Sequence, residues 1–108
     1  MKKLNINFPK YLFLAIIFLS FSNQVKSDEI YEKGKQIFLE QGNCATCHTL
    51  SEAGSAGNIG PNLNEIRPDL MRVITAVTNG IGVMPAYQGE LTTEEIEAVA
   101  HYVSVAAE

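Results

Sequence analysis

The sequence predicts an all-α domain of three to four helices. Two observations carry this. Three segments repeat apolar side chains at the three- and four-residue spacing of an amphipathic helix: Ile30, Tyr31, Ile37 and Phe38; Leu70, Val73, Ile74 and Val77; Ile96, Val99, Ala100 and Val103. Beyond residue 27 no stretch alternates convincingly as a strand, and the connecting segments have the composition of loops.

The first 27 residues read as an export signal. Lys2, Lys3 and Lys10 make a basic start, Tyr11 to Phe21 is apolar except for Ser20, and Val25 and Ser27 offer the small residues a signal peptidase reads. Cleavage is expected after Ser27, with Ser22 as the second choice. An uncut membrane anchor is the rival reading, but the apolar stretch is about half of the ~20 residues a spanning helix needs. Residues 28–108 then form one domain of 81 residues, close to the lower limit for a self-sufficient core. Phe38 is its only Phe, it has no Trp, and its Tyr are Tyr31, Tyr87 and Tyr102. So small a stock of large side chains calls for a staple or a large apolar insert.

The elements follow in order. Asp28 is a candidate N-cap and Gly42 a candidate terminator for a first helix over about 29–41. Residues 50–64 carry Gly54, Gly57 and Gly60 among Ser and Asn, a long loop expected to pack over something. Pro68 and Asp69 open the second periodic segment and Asn79-Gly80 closes it. After a loop over 81–91, Thr92 and Glu95 stand in the reciprocal positions of a capping box, starting a last helix that runs to about Ala107. No internal repeat or second domain is visible.

Cys44-Ala45-Thr46-Cys47-His48 holds the only two cysteines of the chain. Two thiols three positions apart, followed at once by His, read as a c-type haem attachment site. Each thiol can add to one vinyl group, and the His can bind the iron. Zinc would need four ligands, and only His48 and His101 are available besides this pair. A thioredoxin-like dithiol needs a strand–turn–helix setting, which is not seen before Cys44. A structural disulfide here would close only a tiny loop. Export fits the haem reading, because attachment to such a pair takes place outside the cytoplasm in bacteria. The periplasm is the expected location in a Gram-negative cell.

A second axial ligand has three candidates: Met71, Met84 and His101. Met71 lies within a helix and reads as core filler. His101 falls at the edge of the last helix's apolar stripe and reads as a surface residue. Met84 lies in a loop, with Pro85 fixing the backbone after it, and 36 residues separate it from His48. Met84 is the favoured candidate.

These residues together resemble the small class I monohaem cytochromes c of bacteria and of algal photosynthesis, over nearly the whole of 28–108. Glu32-Lys33-Gly34-Lys35-Gln36-Ile37-Phe38 resembles the family's first helix, which crosses the last helix at a small residue; Tyr102 is the matching aromatic. Gly60-Pro61-Asn62-Leu63 resembles the loop whose proline carbonyl accepts a hydrogen bond from the haem-binding histidine, which implies that Pro61 orients His48. Val77-Thr78-Asn79-Gly80 and Met84-Pro85-Ala86-Tyr87 resemble the methionine loop. The resemblance implies the small class I cytochrome c fold, its helices packed around one haem c attached covalently through Cys44 and Cys47. The cofactor-binding residues are then Cys44, Cys47, His48, Pro61 and Met84, with His48 and Met84 on the iron. The lysine ring of mitochondrial cytochromes is absent. The glycine-rich segment 54–60 also resembles haem subunits of bacterial sulfite dehydrogenases.

The expected function is one-electron transfer by a periplasmic carrier that is not an enzyme. The alternative is a dedicated haem subunit of a periplasmic dehydrogenase, such as a sulfite dehydrogenase, which an apolar patch at the haem edge would support. A haem-based sensor or peroxidase would require an open sixth position. Residues 28–108 carry four basic side chains (Lys33, Lys35, Arg67, Arg72) against twelve acidic ones, a net of −8. That charge argues against nucleic acid or anionic membrane as partners, and favours a redox protein, a dehydrogenase or terminal oxidase, with a basic docking patch. No stable membrane insertion is expected after signal cleavage. Arg67 is a candidate partner for a haem propionate, Tyr87 for the haem edge or the loop flank, and Gly60 and Leu63 for the pocket wall.

Overall fold

The structure, a computed structural model, describes residues 25–108. Residues 1–24, which hold most of the expected export signal, lie outside the described residues. Helix α1 covers 25–39. A 3-10 turn at Cys44–Thr46 follows, then strand β1 (Thr49–Leu50), a second 3-10 turn (Ser51–Ala53) and strand β2 (Ser55–Ala56). Helices α2 (Leu63–Ile66), α3 (Leu70–Asn79) and α4 (Thr93–Ala106) complete the chain.

The apolar spacing explains the packing. Ile37 and Phe38 of α1, Val73 and Val77 of α3, and Ile96, Val99, Ala100, Tyr102 and Val103 of α4 are buried in one core. Burying each such large side chain contributes ~1.5–3 kcal/mol. Helices α1 and α4 cross where Gly34 meets Ala98: a Cβ on Gly34 would lie 2.1 Å from the Ala98 carbonyl oxygen. Only a residue without a side chain allows this approach. Tyr102, fully buried, fills the crossing with edge-on contacts to Tyr31 and Phe38, at ring-centroid distances of 5.0 and 5.7 Å.

The capping box of α4 is as the sequence predicts, and Asp69, expected only to open the second segment, caps α3. The Asp69 carboxylate accepts from the Arg72 N–H at 2.8 Å. Thr92 Oγ1 accepts from the Glu95 N–H at 3.1 Å, and Glu95 Oε1 accepts from the Thr92 N–H at 2.9 Å.

Other expectations are corrected. Helix α1 is already helical at residue 25 and runs through Asp28, because no Gly or Pro lies between 25 and 33 to interrupt it, and Asp is far less disruptive inside a helix than either. The helix ends at 39 rather than 41. Gly42 donates its N–H to the Ile37 carbonyl at 2.7 Å, but the left-handed residue that turns the chain is Asn43, at φ 51°. Asn tolerates that region better than most side chains. The chain does contain strand: Thr49 pairs with Ala56 and Leu50 with Ser55 in an antiparallel ladder. Two residues per strand are too few to show alternation. Helix α2 starts at the end of the segment read as loop, 50–64, and runs past it to Ile66. It has one turn, capped by Asn62 and ended by Arg67 at φ 43°, and one turn has no period to detect.

Candidate functional site: an apolar cleft between His48 and Met84

The motif from Cys44 to His48 is wound into a 3-10 turn. The N–H groups of Cys47 and His48 both donate to the Cys44 carbonyl, at 3.1 and 3.0 Å. Thr46 Oγ1 donates to Asn43 Oδ1 at 2.7 Å, closing the turn from outside. Both cysteines are free and half-buried. Burial pushes the free Cys44 thiol up to about 11.

The loop after β2 folds back on this turn. The Gly60 N–H donates to the Cys47 carbonyl at 2.7 Å, and Thr49 Oγ1 donates to the Gly57 carbonyl at 2.8 Å. His48 Nδ1 lies 2.8 Å from the Pro61 carbonyl oxygen. A carbonyl can only accept, so this contact places a ring proton on Nδ1, and in the neutral imidazole Nε2 then carries the lone pair. A Cβ on Gly60 would come within 2.6 Å of His48 Cε1. The imidazole is held between a proline carbonyl and a backbone that has no side chain to spare.

Met84 arrives on a different loop, after α3. After α3 the chain makes a tight turn in which the Ile81 and Met84 backbones exchange hydrogen bonds of 3.2 and 2.9 Å. The Tyr87 N–H donates to the Val77 carbonyl at 2.8 Å. Met84 is half-buried against the core.

Between the two lies a cleft of ≈ 370 Å³, within the range of cofactor pockets. Cys44, Cys47, His48, Pro61 and Met84 all line it, as do Gly60 and Leu63. Its floor is Phe38, Val99 and Val103. Of the three candidates for a second ligand, Met84 alone borders this cleft. Met71 is 64% exposed, not core filler: Val73 and Val77 take the buried face of α3 and Met71 projects away from it. His101 borders a separate depression of ≈ 690 Å³, whose walls carry Lys26, Lys33, Glu94 and Glu97. The two cavities share no residue.

The cation at the cleft is Arg72, not Arg67. Arg67 closes α2, with its Nε directed to the Asn64 carbonyl at 3.4 Å. Helical phase was the available signal: Arg72 stands one turn before Ala76 and beside Val73, all on the cleft side of α3. Tyr87 also lines the cleft, and its hydroxyl donates to the Gly42 carbonyl at 2.5 Å. Tyr87 thus both lines the cleft and flanks the Met84 loop.

The residues fit a haem. The lining is mostly apolar, and it includes both thiols, an imidazole, a thioether and one guanidinium. At the rim Ile59, Ile81 and Val83 are 65%, 68% and 88% exposed. Among the described residues no group of three His, Cys, Asp or Glu is placed to hold a bare metal ion.

The family model described as cytochrome c oxidase, cbb3-type, subunit III matches residues 29–103. A cytochrome c6 of Microcystis aeruginosa is 37% identical over 69% of this chain and 95% of its own. The chain belongs to the class I cytochrome c family. Membership implies haem c, electron transfer and protein redox partners for this cytochrome. A solved structure, the c-type cytochrome SorU from Sinorhizobium meliloti, is 56% identical, covering 74% of this chain and 93% of that one at a TM-score of 0.71. A cbb3-type cytochrome c oxidase subunit FixP of Bradyrhizobium is 39% identical over 65% of this cytochrome, but that match spans 25% of FixP.

Proposed function

We propose that this cytochrome is a periplasmic one-electron carrier. In this reading Cys44 and Cys47 attach one haem c through thioethers, and His48 Nε2 and the Met84 sulfur are the axial ligands. The observation that carries it is that His48 and Met84 border one apolar cleft from different loops, beside both thiols. When bound, haem c supplies a reversible one-electron couple between ferric and ferrous iron.

The residues act by holding and excluding. Pro61 keeps the proton on His48 Nδ1, which orients the ring and strengthens Nε2 as a donor. Thioether sulfur from Met84 favours the ferrous state, and the apolar walls of Phe38, Val99 and Val103 act in the same direction by keeping water out. With His48 and Met84 both on the iron, no position would remain for a substrate, and the protein would carry electrons without being an enzyme. Arg72 is the side chain available to a propionate at this cleft. The net charge of −8 on residues 28–108, from four basic and twelve acidic side chains, suits a partner with a basic docking patch. Among the described residues no helix is long and apolar enough to cross a membrane.

The exposed apolar rim of Ile59, Ile81 and Val83 favours a second reading, a haem subunit held in a longer-lived complex with a periplasmic dehydrogenase such as a sulfite dehydrogenase. Capture of the holoprotein's partners from periplasmic extract separates the two. A stoichiometric dehydrogenase complex that survives gel filtration supports the second reading, and rapid reduction without a stable complex supports the first. The ligand set is tested by the weak red-edge absorption band of ferric iron bound to thioether sulfur. Met84→Ala should lose it and His101→Ala should keep it. A band unchanged in Met84→Ala would show the assignment to be wrong.

A further inference from the structure

We propose that Tyr87 is a positioning residue that latches the Met84 loop shut, through the hydrogen bond from its hydroxyl to the Gly42 carbonyl. The inference rests on the reading of Met84 as an axial ligand. Its basis is where the loop is and is not fastened. Between Ile81 and Met84 the backbone hydrogen bonds are internal to the turn, Ile81 to Met84 and back. The turn's outer residues Ile81 and Val83 stand in solvent. The next fastening is Tyr87, where several attachments converge. Its N–H donates to Val77 of α3, its carbonyl accepts from Glu90 and Leu91 at 2.9 Å each, and its hydroxyl reaches Gly42, 45 residues earlier.

Gly42 stands two residues before Cys44. The latch therefore joins the Met84 loop to the backbone that leads into the attachment turn, so that the two sides of the cleft are held to one another directly. The ring of Tyr87 lines the cleft as a Phe ring would, and the hydroxyl adds what Phe lacks. Burial raises the hydroxyl's pKa above its ordinary value, so it stays a donor at neutral pH.

Imidazole added to the ferric holoprotein tests this, because it can take the sixth position only when Met84 leaves. Tyr87→Phe removes one oxygen and keeps the ring. The expected result is about fivefold tighter apparent imidazole binding, the factor that loss of one neutral hydrogen bond from the closed state implies. Tyr102→Phe removes a hydroxyl that does not touch the loop and should leave imidazole binding within twofold of wild type. In a Met84→Ala background, Tyr87→Phe should have no further effect. Unchanged binding in Tyr87→Phe overturns the latch, as does an equal gain in Tyr102→Phe, which would mark general loosening. If wild type and Met84→Ala bind imidazole alike and neither shows the thioether band, the ligand reading itself fails, and the latch with it.

Discussion

The hydroxyl of Tyr102, on the last helix, donates to the carboxylate of Glu52, 50 residues earlier in the 3-10 turn after β1. Glu52 also accepts from Lys35 Nζ on α1 at 2.8 Å. One carboxylate thus joins α1, the small hairpin and α4 around the rim of the helix crossing. The loop over the attachment turn is fixed to the core by it.

Lys35 first, and Tyr102 second, hold the Glu52 carboxyl below the usual carboxylate range. A depressed folded-state pKa stabilises the fold above the unfolded value of about 4.3, and this stabilisation is lost as pH falls through the folded value. The Lys35 and Glu52 side chains are 31% and 35% exposed, so solvent screens the effect and it is modest. Glu52→Gln should lower the denaturation midpoint at neutral pH. The difference from wild type should shrink to nothing in acid, as measured by guanidinium titration at a series of pH values.

Gly60→Ala places a methyl group against the His48 ring, at 2.6 Å from Cε1. The ring must tilt away from the Pro61 carbonyl or the loop must lift. We expect a loss of about 1–3 kcal/mol in folding stability together with an altered Soret spectrum. Chemical denaturation and absorption spectra of the holoprotein check both, and an unperturbed spectrum would contradict the packing described.

Met84→Ala should lower the reduction potential, by part of the ~0.8 V range that axial ligands span. Met71→Ala, on the exposed side of α3, should leave it in place. Film voltammetry of the two variants compares them directly.

Gly34→Ala brings a methyl group to 2.1 Å from the Ala98 carbonyl and 2.6 Å from Tyr102 Cβ. Backbone cannot yield as a side chain end can, so the helices must separate. The expected cost is about 3 kcal/mol or more, seen as a lowered thermal midpoint. Wild-type stability in this variant would mean that the crossing is looser than the packing indicates.

The three long helices were legible because each repeats its apolar residues over several turns, and the Thr92–Glu95 box marks a helix start by chemistry alone. Cys44, Cys47 and His48 were legible as a motif, and Pro61 and Met84 through their short flanking patterns. What was hidden is short or distant. Helix α2 and the two-residue strands have no period. The Tyr87 contact with Gly42 and the Tyr102 contact with Glu52 join residues 45 and 50 positions apart, and no local rule connects them. Arg67 ends α2 at a left-handed residue outside α3, whereas Arg72 lies on α3 one turn before Ala76, on the side that lines the cleft.

The crossing of Gly34 with Ala98 has a consequence for the order of events in folding. The core residues Ile96, Val99, Tyr102 and Val103 belong to the final stretch of the chain, so Phe38 lacks its ring contact with Tyr102 until that stretch is present. A chain that emerges from its N-terminal end shows Cys44 to His48 well before the last helix can close behind them. Contacts this far apart in sequence form late and slowly. In that interval Val99 and Val103, which line the cleft beside the two thiols, are not yet in place.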